Sequence, residues 1–190
     1  MKKILLLTLL LATSLMLVGC DNLHGDDDPH NVENVEFETL RVEFSSAMVI
    51  GGTLEEVYPL LCPEREHDYL PGWNAFIVWS ESGLAEEGAV FKTGSETWII
   101  TNYDYLENIT FTRYNPDVVT TLSIDVREES GHVFGDFTQI SIATTPEGVA
   151  KVELVTQDSV DDMVDAMERA MQYYITNGEM IDEDSTNTGH

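Results

Sequence analysis

From Leu40 to Ile50 the chain alternates. Leu40, Val42, Phe44, Met48 and Ile50 fall on one face, and Arg41, Glu43 and Ser45 on the other. Side chains on a strand alternate between faces, so this run buries one face and wets the other only as extended chain. Gly51-Gly52 ends it, and Thr53-Leu54-Glu55-Glu56 reads as a capping box opening a helix. Pro59 and Pro63 keep that helix short and divide it from a second one around 64–69, after which Pro71-Gly72 turns the chain. Six further segments rich in aromatic and β-branched residues follow: 76–80, 89–93, 97–103, 109–114, 118–127 and 134–144. Turn residues separate them at Ser82-Gly83, Thr93-Gly94, Asn115-Pro116 and Ser130-Gly131. Neighbours joined by such short turns pair antiparallel, so the pattern predicts one sheet with one apolar face.

The end of the domain reads two ways. Thr145-Pro146-Glu147 suits a helix start with proline in the first turn. Pro146-Glu147-Gly148 is equally good turn chemistry, with Ala150, Val152 and Leu154 alternating after it as a last strand up to a cap at Asp158. Beyond that point Val160, Met163, Met167, Met171 and Tyr174 recur at helical spacing, and Asn177-Gly178 is a helix stop.

The N-terminus is of another kind. Met1-Lys2-Lys3 precedes an apolar run from Ile4 to Val18, which ends at Gly19-Cys20. A basic start, a short apolar core and a small residue before the cut are the parts of a secretory signal, and the run is too short to span a bilayer comfortably. Leu17-Val18-Gly19-Cys20 resembles the lipobox of bacterial lipoproteins. That resemblance implies cleavage before Cys20, lipid on its sulfur and a stable membrane anchor on the periplasmic side of the cell envelope. Asp21 resembles the residue that retains such proteins in the inner membrane of enteric bacteria. The expected organisation is a signal peptide over 1–19, a lipidated acidic tether over 20–36, one domain over 37–178 and a disordered tail over 179–190.

Nine Lys and Arg stand against 35 Asp and Glu, a net charge of −26. Loss of Lys2 and Lys3 with the signal makes the balance more negative still, which argues against nucleic acid and anionic headgroups as partners. Cys62 is the only cysteine besides the lipid site, so no disulfide forms within the chain. A lone thiol in an oxidising envelope belongs in the core. The alternative, a nucleophile activated by His67, lacks any triad-like pattern.

The order of strand, two short helices, antiparallel meander and long C-terminal helix resembles the α+β helix-grip, or START-like, fold. The segment from Val57-Tyr58-Pro59-Leu60-Leu61-Cys62-Pro63 through Glu64-Arg65-Glu66-His67-Asp68-Tyr69-Leu70-Pro71-Gly72-Trp73 is similar to one in small bacterial members of the SRPBCC (polyketide cyclase and lipid-transport) superfamily. Ser80-Glu81-Ser82-Gly83 and Glu86-Glu87-Gly88-Ala89-Val90-Phe91 look like that group too. The resemblance covers roughly 38–178. It implies a curved antiparallel sheet wrapped around the C-terminal helix, with a last strand over 149–156 and that helix from about Asp158. It does not carry a function, since this fold hosts binders and enzymes alike. Its members are mostly cytoplasmic, whereas this chain carries an export signal.

A cavity between sheet and helix is the implied site, suited to a small hydrophobic or lipid-like ligand. Trp73, Trp79, Trp98, Tyr103 and Tyr114 are candidate lining residues from the first part of the domain, and Met163, Met167 and Met171 from the helix. The same residues equally suit an ordinary filled core. Glu66 and His67 are candidates for proton transfer or for anchoring a ligand, against the alternative that Arg65 pairs locally and fixes the short helix to the sheet. No P-loop, dinucleotide fingerprint, G-x-S-x-G or H-E-x-x-H is present, so neither cofactor nor metal is expected. Three functions remain open: a ligand-binding module, a cyclase- or hydrolase-like enzyme, and a cavity-free interaction domain. For the anchor, Cys20→Ser is expected to abolish fatty-acid labelling and partition into detergent. A mutant that stays acylated and membrane-bound contradicts the lipoprotein assignment.

Overall fold

The computed structural model describes residues 37–182. The signal peptide, Cys20, the tether and the last residues of the expected tail lie outside them. Strand β1 (Arg41–Gly51) leads into α1 (Leu54–Val57), a 3-10 turn (Tyr58–Leu61) and α2 (Pro63–Glu66). The meander follows as β2 (Ala75–Trp79), β3 (Val90–Thr93), β4 (Glu96–Asp104), β5 (Asn108–Tyr114), β6 (Val118–Glu129) and β7 (His132–Ala143). Two helices close the chain, α3 (Pro146–Val152) and α4 (Gln157–Asn177).

The seven strands form one antiparallel sheet in the order β1-β7-β6-β5-β4-β3-β2. Strands β1 and β2, consecutive in sequence, are thus its two opposite edges, and the short helices between them cross from one edge to the other. The register shifts between Ile77 and Trp79 in β2 and between Ile100 and Asn102 in β4. Such irregularities bend strands and increase twist, which suits a sheet curved around a helix.

Helix α4 lies against β1 and buries Val160, Val164, Met167, Ala170 and Met171. All but Val160 join Met48, Ile50, Ile100, Ile109, Ile124 and Phe137 in the main core. The β1 edge is not left bare. The Val49 N–H donates to Glu168 Oε2 at 2.7 Å, the Gly51 N–H to Gln172 Oε1 at 2.7 Å, and Gln157 Nε2 donates to the Ser45 carbonyl at 2.8 Å. These strand groups would otherwise be an unpaired edge. Helix α4 begins at an N-cap, Thr156, whose side chain accepts from the Ser159 N–H, and ends at Gly178 in the left-handed region (φ 73°). The domain packs slightly beyond that stop: Ile181, expected in the disordered tail, is buried in the core.

Residues 149–156 correct one expectation. They form no strand but the greater part of α3 and the link to α4. Thr145 caps α3 by accepting from the Gly148 N–H at 3.1 Å, and Pro146 occupies the first turn. Asp117, in the turn between β5 and β6, then accepts from Thr145 Oγ1 at 2.9 Å and pairs with Lys151. Val152 is fully buried in a second, smaller cluster with Val118 and Ala143. The close approach depends on Gly148, where a Cβ would stand 2.0 Å from the Asp117 carbonyl oxygen. Since the obstacle is backbone, Gly148→Ala is expected to destabilise the protein by about 2–4 kcal/mol in chemical denaturation, whereas exposed Glu153→Ala stays within about 0.5 kcal/mol. Equal stability of the two variants would contradict this packing.

Candidate functional site

Strand register assembles one wall of a half-open cavity. Phe91 faces Trp98 across β3 and β4, and Trp98 faces Arg113 across β4 and β5. Cross-strand partners point to the same face of a sheet, so one row presents Phe91, Trp98 and Arg113 side by side. Phe91 and Trp98 stack at 5.8 Å between ring centroids, and Phe111 meets both edge-on, at 5.9 and 6.3 Å. The Arg113 guanidinium lies over the Trp98 ring at 5.2 Å and pairs with Glu96 at 3.2 Å.

Opposite this wall, α4 offers Met163, Ala166 and Met167. Residues three and four apart on a helix share a face, which is why these three come together. The end of the cavity is closed by Pro63 and Glu66 of α2 with Leu70 and Trp73 just after it. Trp73 is held in place by its Nε1–H, which donates to the Pro63 carbonyl at 3.1 Å. The pocket is half open and holds about 360 Å³, within the usual range for small-molecule pockets. The interior beneath α4 is therefore not filled.

Among mostly apolar walls Glu96 and Arg113 pair with each other, and the third ionisable group is Glu66. It is 7 % exposed and lines the cavity. Burial, reinforced by the neighbouring Glu64 carboxylate, pushes its carboxyl up to about 8. An isolated carboxylate is costly to keep charged out of water, so the acid form prevails at neutral pH. Glu64 itself is engaged with the loop before β3, accepting from the Ala85 N–H at 2.9 Å.

The other candidates disperse. Trp73, Trp98, Met163 and Met167 line the cavity. Trp79 at the end of β2 is 57 % exposed and Tyr114 at the end of β5 is 50 % exposed, and neither lines it. Tyr103 packs instead against Tyr58 and lies 3.9 Å from the Cys62 sulfur. Met171 is fully buried in the core. His67 points to solvent, its ring 3.1 Å from Asp68. Arg65 pairs with Asp68 at 2.6 Å, and Asp68 also accepts from the Tyr174 hydroxyl at 3.5 Å. The Arg65 pair therefore leads towards α4 and not, as expected, to the sheet. Cys62 is buried and its thiol is pushed up to about 12, chiefly by burial, so the reactive thiolate is suppressed.

Sequence reasoning missed Phe91, Glu96, Phe111, Arg113 and Leu122. Strand parity was the available signal. Phe111 and Arg113 share a face of β5 and Tyr114 takes the other, so placing Trp98 inside selects its partner Arg113 and excludes Tyr114.

No family model matches the chain, and no curated protein matches it. Solved structures are similar in fold at low identity. Truncated norcoclaurine synthase from Thalictrum flavum aligns with TM-score 0.55 and 16 % identity, over 75 % of this chain and 98 % of its own. A hypothetical protein from Helicobacter pylori aligns with TM-score 0.54 and 9 % identity, over 70 % and 87 %. Norcoclaurine synthase in complex with dopamine and hydroxybenzaldehyde aligns with TM-score 0.50 and 16 % identity, over 69 % and 86 %. At these identities the likeness concerns architecture, and the architecture is the START-like helix grip: a curved seven-stranded antiparallel sheet around a long C-terminal helix.

Proposed function

We propose that this chain is a lipid-anchored protein of the bacterial envelope whose helix-grip domain binds a small hydrophobic ligand between the sheet and α4. The observation that carries the binding half is the cavity of about 360 Å³ walled by Phe91, Trp98, Phe111, Met163 and Met167. Apolar pockets of this size with one or two polar groups hold small molecules by excluding water, and the polar groups fix orientation. The complex of norcoclaurine synthase with dopamine and hydroxybenzaldehyde indicates that a domain of this fold accommodates small aromatic compounds. The anchoring half rests on Lys2-Lys3, the apolar run and Cys20. Asp21 favours the inner membrane.

A second reading, a cyclase- or hydrolase-like enzyme, is favoured by one observation, Glu66. A carboxyl raised to about 8 inside a cavity is poised near neutral pH to give or take a proton. His67, exposed beside Asp68, takes no part in it.

Met167 tests the binding reading. It is nearly buried and borders the cavity, so replacing it by Trp places the added ring in open space or in packed core. An open cavity accepts the ring: Met167→Trp is expected to leave the melting temperature nearly unchanged and to abolish binding of an environment-sensitive apolar dye. Overpacking of a filled core typically costs about 1–3 kcal/mol. A loss of that size, with no dye bound by the parent protein, would retire the ligand-binding reading.

A further inference from the structure

The lining holds donors that the protein itself does not use. Arg113 spends one guanidinium nitrogen on Glu96 at 3.2 Å and another on Thr120 Oγ1 at 3.3 Å, while its Nε is buried without an acceptor among the described residues. Trp98, its cross-strand partner, lies under the guanidinium at 5.2 Å, and its Nε1 is likewise buried and unpartnered. The other indole of the cavity differs, since Trp73 Nε1 donates to the Pro63 carbonyl at 3.1 Å. Of the lining residues only Trp98 and Arg113 carry a buried side-chain atom of this kind, and both atoms are N–H donors. A buried donor without an acceptor has given up the hydrogen bond it made in water. A group that brings an acceptor to it therefore gains more than one that meets a satisfied donor.

We propose that the cavity takes ligands with an apolar body and a carbonyl oxygen, which accepts from the N–H groups of Trp98 and Arg113. This rests on the cavity being a ligand site, as proposed above, and narrows its ligand class. A carbonyl oxygen has two lone pairs and can take two donors at once. Cross-strand partners present theirs from one face of the sheet, so the two N–H groups belong to the same wall. Phe91, Phe111, Met163 and Met167 surround the apolar body.

The charges of the lining suit an uncharged acceptor. Glu96 and Arg113 balance each other. Glu66 is pushed up to about 8 by burial beside Glu64, so it is mostly protonated at neutral pH. It then presents a hydroxyl, a third donor, and no negative charge to repel a carbonyl oxygen. A neutral ligand thus finds donors without needing a counterion. An ammonium ligand brings further donors where acceptors are missing, and leaves Trp98 and Arg113 unpaired.

The experiment uses the full-length protein at neutral pH, a neutral apolar dye, and three displacing probes of one skeleton: 4-phenylbutan-2-one, butylbenzene and 4-phenylbutan-2-amine. The hydrocarbon measures the gain from apolar burial alone, so the quantity read is the ratio of ketone to hydrocarbon affinity. In Trp98→Phe, which keeps a ring and lacks the N–H, that ratio is expected to fall by about three- to tenfold, the net worth of one hydrogen bond. The amine should displace the dye less well than the ketone. In isotope-labelled parent protein the ketone, unlike butylbenzene, should move the Trp98 Nε1–H and Arg113 Nε–H proton resonances downfield, as hydrogen bonds form. That measurement decides the matter even if the variant fails to fold. An unchanged ratio, N–H resonances that respond alike to ketone and hydrocarbon, or preference for the amine would overturn the inference while dye binding still supported the cavity. Failure of every apolar compound to bind would instead remove the ligand-binding reading itself.

Discussion

The position of α4 along the β1 edge is the constraint on which the rest depends. Glu168 and Gln172, one helical turn apart, receive the Val49 and Gly51 N–H groups, two residues apart on the strand. Gln157, near the start of the helix, donates to the Ser45 carbonyl. Helical rise and strand rise are thus matched at three points, and an edge that would invite another strand is covered. A helix held at that edge fills the groove beside β1 with Val164, Ala170 and Met171. It leaves the concave face over β3, β4 and β5 to be covered by Met163, Ala166 and Met167 alone, with α2 at the end. The cavity lies in that part of the grip.

The short helices complete the arrangement because of where the chain must travel. After β1 the backbone has to reach the far edge to begin β2, and α1, the 3-10 turn and α2 make that crossing. Pro59 and Pro63 break the crossing into short pieces that follow the curved surface. The crossing brings an acidic segment over an apolar face. Glu64 finds the Ala85 N–H, and Arg65 and His67 find Asp68. Glu66 is turned toward the cavity, and burial beside Glu64 raises its carboxyl.

Much of this was legible in the sequence. Alternation from Leu40 to Ile50 and six turn-bounded apolar segments yield the strands, because burial on one face of a sheet demands period two. The helix carrying Met163, Met167 and Met171 was equally plain. Residues 149–156 were not, since Ala150, Val152 and Leu154 alternate as well as any strand. What decides for a helix is tertiary: Gly148 fits against the Asp117 carbonyl, and Asp117 ties down Thr145 and Lys151. The site was half legible. Trp73, Trp98, Met163 and Met167 meet at the cavity, while Tyr114 falls on the wrong parity and Trp79 ends an edge strand after a shift in register. Composition alone does not tell an inward aromatic from an outward one; strand register does.

The central claim is spatial: ligand enters under Met163 and Met167, not among the methionines of the packed core. Methyl NMR of the methionine-labelled protein during titration with a neutral aromatic compound tests it most directly. The account expects the Met163 and Met167 methyl resonances to shift and saturate together while those of fully buried Met48 and Met171 hold nearly still. Unmoved Met163 and Met167 at saturating probe, or equal shifts at all four, would contradict it.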